Sequence, residues 1–474
     1  MKLWFNILRK IFGQSIYHIL PFFIVILYVP QTFIGIIYYK DEPALTLFIC
    51  IFLSLFFYYF SYYLFSFLVS NRIKNIYIPI KFSTLFNFIV FTYAILIIYT
   101  SITAPSIALI DAMVGKSPME ISAAREYFIK ARDGIFQTLN YFYVSYTKTL
   151  MPFLTVYVFY RKYQFRRVFL ALFLFSLWLT LEKSLAVSAM LPLLGLFLLQ
   201  KDIYRARLAL FTLLFFILIN AFLARGDFFA SLQTPNFNVR TNSLTAYLFY
   251  DESKKDNFAF TSPNILKQST NDKLYKFEFL KNVFKNSNNS RDLFIRNRYK
   301  LINTSFDVDI DLGFRTRNIF VEGFDDSTLF LINRVVWIPY VTAFDWLRYW
   351  EEVLDSKFLY GRSINGVAWL MGQPSIRLEK EVFGFQFGQT ESGSGQANTL
   401  YAIDGFVNFG FLGVIFYSSI IGIISAFILS SDSIPAKMVY ILHLYSLSFS
   451  SLPAILFSGG LMVLVLSSRI KPTE

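Results

Sequence analysis

Gly405–Leu429 reads GFVNFGFLGVIFYSSIIGIISAFIL, 25 residues without Asp, Glu, Lys or Arg, entered directly from Asp404. A run of ~20 apolar residues is what a helix needs to cross ~30 Å of hydrocarbon while satisfying its own backbone hydrogen bonds. Stretches of this kind recur along the chain and predict spans at Ile16–Tyr39, Ala44–Ser70, Phe82–Ala104 and Phe136–Tyr160. Val168–Leu181 and Ser184–Leu199 read as a hairpin of two short helices turning at Glu182 and Lys183, and Leu208–Ala224 as a seventh span. The tail Met438–Ser468 is too long for one ordinary helix and is interrupted around Ser450, Ser451 and Pro453, so it predicts two short helices. Composition agrees, with 55% hydrophobic residues and a mean hydropathy of +0.49 over 474 residues, more than a soluble core requires. The expected fold class is an all-α polytopic membrane protein of about ten transmembrane helices, with one large extracytoplasmic segment between helices 7 and 8.

The expected organisation is helices 1–3 over residues 1–104, a first extracytoplasmic loop at 105–135, helices 4–7 over 136–224, a large extracytoplasmic domain at 225–402, and helices 8–10 over 403–474. Cations in short loops resist translocation. Lys2, Arg9 and Lys10 therefore place the N-terminus in the cytoplasm, and the same side receives Arg72, Lys74, Lys81, the basic turn Arg161–Arg167, Lys201, Arg205, Arg207, Lys437, Arg469 and Lys471. The alternate short loops carry only Lys40 and Lys183. This predicts a multi-pass protein of the inner (cytoplasmic) membrane. The apolar run from Ile16 is too long for a signal peptide and no small-x-small cleavage site follows it, so it stays as the first span.

Several chemistries are excluded. The formal charge of +13 is explained largely by the cytoplasmic loops, so nucleic acid is not an expected partner. The single cysteine, Cys50, lies in the second span, leaving the outer segment without a disulfide or a thiolate metal site. Asp307-Val308-Asp309-Ile310-Asp311 lacks the glycine and further oxygen ligands of a calcium loop and reads as a solvated strand or turn. Gly393-Ser394-Gly395 lacks the lysine and the strand-to-helix setting of a phosphate-cradling loop. No metal and no cofactor is expected.

The outer segment divides in two. Residues 251–311 are rich in Asn, Lys, Ser and Asp and read as a solvated surface. Residues 333–369 mix Trp337, Phe344, Trp346, Tyr349, Trp350, Phe358, Tyr360 and Trp369 with Arg334, Arg348, Arg362, Glu351 and Glu352. Rings beside fixed charges fit a sugar-binding cleft, and they fit equally an aromatic belt at a bilayer surface. In the first outer loop Ser117-Pro118-Met119-Glu120 is a helix start, with Ser at N-cap, Pro at N1 and Glu at N3. Arg125 and Arg132 follow it, either to grip a diphosphate in bidentate fashion or to pair along the helix and meet lipid headgroups.

Two blocks carry a family resemblance. Ala124-Arg125-Glu126-Tyr127-Phe128 through Gly134, the span after it, the basic turn Arg161–Arg167 and the hairpin Leu179-Thr180-Leu181-Glu182-Lys183-Ser184 form the first. Asn333-Arg334-Val335-Val336-Trp337-Ile338-Pro339, the aromatics around Tyr349, and Gln396-Ala397-Asn398-Thr399-Leu400 leading to Asp404-Gly405-Phe406-Val407-Asn408-Phe409-Gly410-Phe411-Leu412-Gly413 form the second. In order and topology, over roughly half of the chain, they resemble the Wzy-type O-antigen and capsular repeat-unit polymerases.

The resemblance implies a metal-independent glycosyltransferase that polymerises undecaprenyl-diphosphate-linked oligosaccharides at the outer face of the cytoplasmic membrane, among membrane lipids and beside a flippase and a chain-length regulator. Such chemistry needs a cationic clamp for the departing diphosphate and a carboxylate to accept the hydroxyl proton. Arg125, Arg225, Arg334 and Arg348 are the candidates for the clamp, and Asp404, Glu391 and Glu352 for the base. Trp337, Trp346, Tyr349, Trp350, Asn398 and Asn408 are the sugar-binding candidates. His18 and His443 fall within spans, which argues against a histidine base. A burial-strained Asp404 at the membrane boundary has two uses, anchor at the headgroups or proton acceptor.

Three alternatives remain open at this stage. An O-antigen ligase shares architecture and donor, and the absence of an outer-loop histidine leans away from it. A flippase or transporter should show repeated halves, broken helices and charged residues inside spans, whereas the apparent spans carry almost no ionisable residue beyond Glu182 and Lys183. A structural or receptor protein is the third.

Overall fold

The computed structural model describes residues 15–39, 42–73, 77–116, 121, 124–125, 127–128, 139–225, 300–302, 307–309, 338–387 and 396–473. In chain order these form α1 (Ile19–Ile34, entered through a turn of 3-10 helix at Ile16–His18 and extended by a π-turn at Gly35–Tyr39), α2 (Glu42–Ile73), β1 (Ile78–Lys81), α3 (Phe82–Thr103) and the short α4 (Ala108–Met113). Next come α5 (Leu139–Ser145), continued by a π-turn (Tyr146–Leu150) into α6 (Met151–Tyr160), then α7 (Arg166–Trp178), α8 (Lys183–Leu199) and α9 (Ile203–Arg225). The strands β2 (Lys300–Ile302) and β3 (Asp307–Asp309) pair antiparallel, so Asp307–Asp309 is a strand as expected. The chain closes with α10 (Ile338–Glu352), α11 (Asn365–Leu370), α12 (Leu378–Phe387), α13 (Tyr401–Ser430), α14 (Ile434–Leu447), a π-turn at Ala454–Ser458, α15 (Leu461–Ser467) and β4 (Ile470–Thr473).

This is a helical membrane protein. Among the described residues five helices are long and apolar enough to cross a bilayer, at Ile16–Ile37, Glu42–Leu68, Phe82–Thr103, Ile203–Asn220 and Tyr401–Ser430. The hairpin foreseen at Glu182 is present: α7 and α8 meet across a tight turn in which Leu181 takes φ 50°.

Several basic segments lie together at one end of the helical body. β1 pairs in parallel with β4, Ile78 opposite Ile470. Tyr77 Oη donates to Asp432 Oδ2 at 2.8 Å, and Arg469 Nη2 donates to the Phe427 carbonyl at 2.8 Å while its guanidinium lies 4.1 Å from the Phe427 ring centroid. Phe82 stacks on Tyr157 and Tyr163, which brings the basic turn after α6 to the same end.

The described part of residues 338–387 packs into the helical body: every residue of α10 from Tyr340 to Leu347 is buried, and α10 shares one continuous hydrophobic core with α1, α2 and α13. A Cβ on Gly35 would come within 2.6 Å of Tyr340 Oη, so α10 and the end of α1 touch at a glycine.

The span expected at Gly405–Leu429 falls within a candidate membrane helix, Tyr401–Ser430, that is not straight. α13 breaks at Phe409 (φ −139°, ψ 15°) and Gly410 (φ 65°, ψ −154°), a conformation open to glycine alone. In a straight helix Gly405 and Gly413 would lie ~12 Å apart. Here a Cβ on Gly413 would collide with the Gly405 carbonyl, and one on Gly405 would sit 2.9 Å from the Gly413 carbonyl oxygen. The chain therefore doubles back: Tyr401–Asn408 is a short helix folded against the rod Phe411–Ser430, and Ser418 Oγ reaches Tyr401 Oη at 3.4 Å across the fold.

Candidate functional site

The break leaves carbonyls that a continuous helix would have satisfied, and buried backbone oxygens need donors. The loop after α10 supplies them. Leu359 N donates to the Val407 carbonyl at 3.1 Å and Tyr360 N to the Asn408 carbonyl at 2.8 Å. Asn408 then ties three strands of chain together with its side chain. Its Nδ2 donates to the Asp404 carbonyl at 2.9 Å and to Asp404 Oδ1 at 3.0 Å, while its Oδ1 accepts from Gly361 N at 3.2 Å and Ser363 Oγ at 3.0 Å.

Asp404 is therefore held by one oxygen only. It is buried, and its Oδ2 has no hydrogen-bond partner among the described residues. Tyr417, directly across the fold on the rod, lies close enough to act on it electrostatically, and the buried Tyr417 Oη likewise lacks a partner there. Glu379 at the start of α12 also acts on Asp404 through its charge, and Glu379 Oε1 accepts from Ser451 Oγ at 3.4 Å. A buried carboxylate oxygen without a donor among the described residues, with a second carboxylate acting on it, is an expensive feature to keep for packing alone.

An aromatic layer overlies the break. Trp350 stacks on Phe358 with centroids 5.4 Å apart and meets Phe406 edge-on at 5.0 Å. Trp350 Nε1 and Arg362 Nε are buried atoms without a hydrogen-bond partner among the described residues. On the same helix Arg348 Nε pairs with Glu352 Oε1 at 3.1 Å, both side chains largely shielded.

The candidates named above separate clearly. Asp404 and Trp350 stand at the break, and the Arg348–Glu352 pair lies on the helix that carries Trp350. Asn408 is fully buried, and both ends of its amide are engaged within the protein. Trp346 is a core residue, its only donor given to the Ala397 carbonyl at 2.8 Å, and Tyr349 is buried edge-on against Phe385. Asn398 is exposed. Glu352 is held by Arg348, which makes it the arginine's partner before it is a base. Arg125 is half-buried and helical beside Ala124, which packs with Ala108 and Leu181 at the α7–α8 turn. Arg334, Trp337 and Glu391 lie outside the described residues, as does the side chain of Arg225, the last residue of α9.

Three residues were missed in the sequence. Glu379 sits in Leu378-Glu379-Lys380-Glu381, which reads as a solvated helix start, and Tyr417 sits in an apolar run; neither carries a signal without the fold. Lys148 was visible and overlooked, an ionisable residue in the middle of the expected fourth span. It lies on the π-turn Tyr146–Leu150 and acts electrostatically on buried His443, whose Nε2 is 3.2 Å from Thr149 Oγ1. Pro152 has no N–H to offer this turn, and the Thr147 carbonyl accepts instead from Ser188 Oγ at 3.1 Å. Protein-family models, curated proteins and solved structures were all compared with this chain, and none matches it.

Proposed function

We propose that this chain is a membrane glycosyltransferase that lengthens a surface polysaccharide, O antigen or capsule, from undecaprenyl-diphosphate-linked oligosaccharide units at the outer face of the cytoplasmic membrane. The observation that carries this is the Asp404 carboxylate, held by Asn408 through one oxygen and without a partner at the other among the described residues, beside a layer of aromatic rings. In the reaction the acceptor hydroxyl attacks the anomeric carbon, the bond from that carbon to the diphosphate oxygen breaks, and the diphosphate leaves with the electron pair. The hydroxyl proton passes to Asp404. Arg348 and Arg362 stand on the loop and helix next to the break, where a guanidinium can meet the departing charge. The carboxylate is closed to solvent in this structure, so the aromatic layer has to part when the glycan binds.

The proposed topology has about ten spans, a cytoplasmic N-terminus and residues 225–402 outside. It is supported by the meeting of the basic loops at the end of the bundle opposite the break. A reporter active only outside the cytoplasm should be active when fused after Asn289 and silent after Lys437. The reverse pattern overturns the orientation.

Deletion of the gene should remove long chains from the surface-glycan ladder and leave one capped repeat. Loss of all attached glycan would instead indicate a ligase, and an unchanged ladder neither. In the same strain Arg362→Ala and Arg348→Ala are each expected to lower chain elongation by about 100-fold or more, the loss typical of a preorganised donor to a developing charge. Ladders of normal length at normal membrane abundance would remove both from the site.

A second reading has its own support. A broken helix, π-turns and ionisable side chains at Lys148, His443 and Asp404 within the helical body are the traits of a transporter or flippase. Purified protein in vesicles separates the two: elongation of lipid-linked repeats supports the transferase, and translocation without elongation supports the flippase.

A further inference from the structure

Residues 356–377 carry Lys357, Arg362 and Arg377 and no Asp or Glu. Within this basic stretch Tyr360, Trp369, Leu370 and Met371 are 62%, 79%, 76% and 44% exposed. Large apolar side chains exposed together at Trp369–Met371, in a stretch whose only charges are basic, suit an interaction surface. Its position relative to the spans is fixed. The stretch is fastened to the helix break by Leu359, Tyr360, Gly361 and Ser363, and the Phe358 ring lies 3.0 Å from where a Cβ on Gly410 would stand.

From the break the rod Phe411–Ser430 runs 20 residues, ~30 Å at the helical rise, which matches the hydrocarbon thickness of a bilayer. Its outer flank near the break exposes Leu412 and Phe416, so apolar surface suited to lipid begins immediately below the stretch. The break therefore sits at one edge of the hydrocarbon, and the stretch fastened to it is level with the headgroups. Trp and Tyr favour that depth, and Lys and Arg there meet anionic lipid.

We infer that residues 356–377 form a membrane-interface anchor, with Trp369 and Leu370 lowered toward the acyl chains and Lys357 and Arg377 on anionic phospholipid headgroups. The anchor needs a bilayer but not the proposed reaction, so it stands or falls separately. It holds the loop that caps the helix break at a fixed depth, which would present the Asp404 site to lipid-borne rather than soluble molecules.

The test uses the full chain, whose one cysteine is buried and replaceable as Cys50→Ser. A nitroxide is attached to Leu370→Cys, and in a second protein to the exposed Glu351→Cys, each in vesicles of phosphatidylglycerol and phosphatidylcholine. The ratio of oxygen to water-soluble nickel-complex collisions should be several-fold higher at 370 than at 351, and should fall in the background Lys357→Glu with Arg377→Glu. A label at 370 that meets the nickel complex as freely as the one at 351 overturns the anchor. A label shielded from both reagents also overturns it, by pointing to a protein in place of lipid. An unchanged ratio in the double variant overturns the headgroup contact.

Discussion

Gly413→Ala is expected to abolish the folded protein, although it adds one methyl group to an apolar helix. That methyl would collide with the Gly405 carbonyl, a backbone atom that cannot turn aside as a side chain does, and it would also lie 2.9 Å from Phe409 Cβ. Overpacking in an ordinary core costs about 1–3 kcal/mol. Here relief requires the two arms of the hairpin to separate, which removes the contacts of Tyr401–Asn408 with the rod and the donors that satisfy the break, so the cost should exceed that range. Gly366→Ala is the control, since a Cβ there meets nothing within 4 Å. Fluorescence-detected size exclusion after extraction in mild detergent should show Gly413→Ala lost or aggregated and Gly366→Ala unchanged. A monodisperse Gly413→Ala protein with the parent's thermal midpoint would show that the hairpin is not packed this closely.

The same hairpin marks the limit of what the sequence discloses. Long apolar runs bounded by charge located α2, α3 and the α7–α8 turn at Glu182, because crossing hydrocarbon demands length and composition that are read directly. Positive loop charge is an equally local signal, carried by Lys81 and Lys471 on the paired strands β1 and β4. Gly405–Leu429 satisfied the rule for a span while hiding a fold-back, since length and hydropathy carry no information on direction. The cue was the set Gly405, Gly410 and Gly413 around Asn408, small residues where backbones must approach and an amide where carbonyls lose their donors.

α10 misled for the opposite reason. Its mixture of Trp, Tyr, Arg, Asp and Glu looks like surface, yet Tyr340–Leu347 and Tyr349 are all buried, Trp346 and Asp345 among them, and solvent reaches the helix mainly at its end, where Glu351 is exposed. Burial on all sides erases the periodicity by which an amphipathic helix is recognised. Of the candidate site, Asp404 and Trp350 were legible as chemistry, whereas Glu379 and Tyr417 enter it only through the folding of distant segments onto the break.

Asp404→Asn is expected to leave a stable protein with no chain elongation in a reconstituted assay on lipid-linked repeats. Two roles compete for this residue, and the substitution separates them because of how the side chain is held. As a structural anchor, Asp404 needs only an acceptor at the Oδ1 position for Asn408 Nδ2 and a carbonyl for the same donor, now at 3.0 and 2.9 Å. Asparagine keeps both, matches the shape, and gives the other position an NH2 in place of an oxygen without a partner. It also keeps a polar side chain of the same size in a buried site beside Glu379, so stability should hold. As a base, Asp404 needs the electron pair on Oδ2, which an amide does not provide, and the loss of a positioned general base costs about 10²–10⁴-fold in rate. Asp404→Ala provides the converse, since it leaves Asn408 Nδ2 without its side-chain acceptor and should lower the thermal midpoint as well as activity. Full elongation by Asp404→Asn would assign the residue to the anchor role alone and pass the base to Glu379, the other carboxylate that acts on this site.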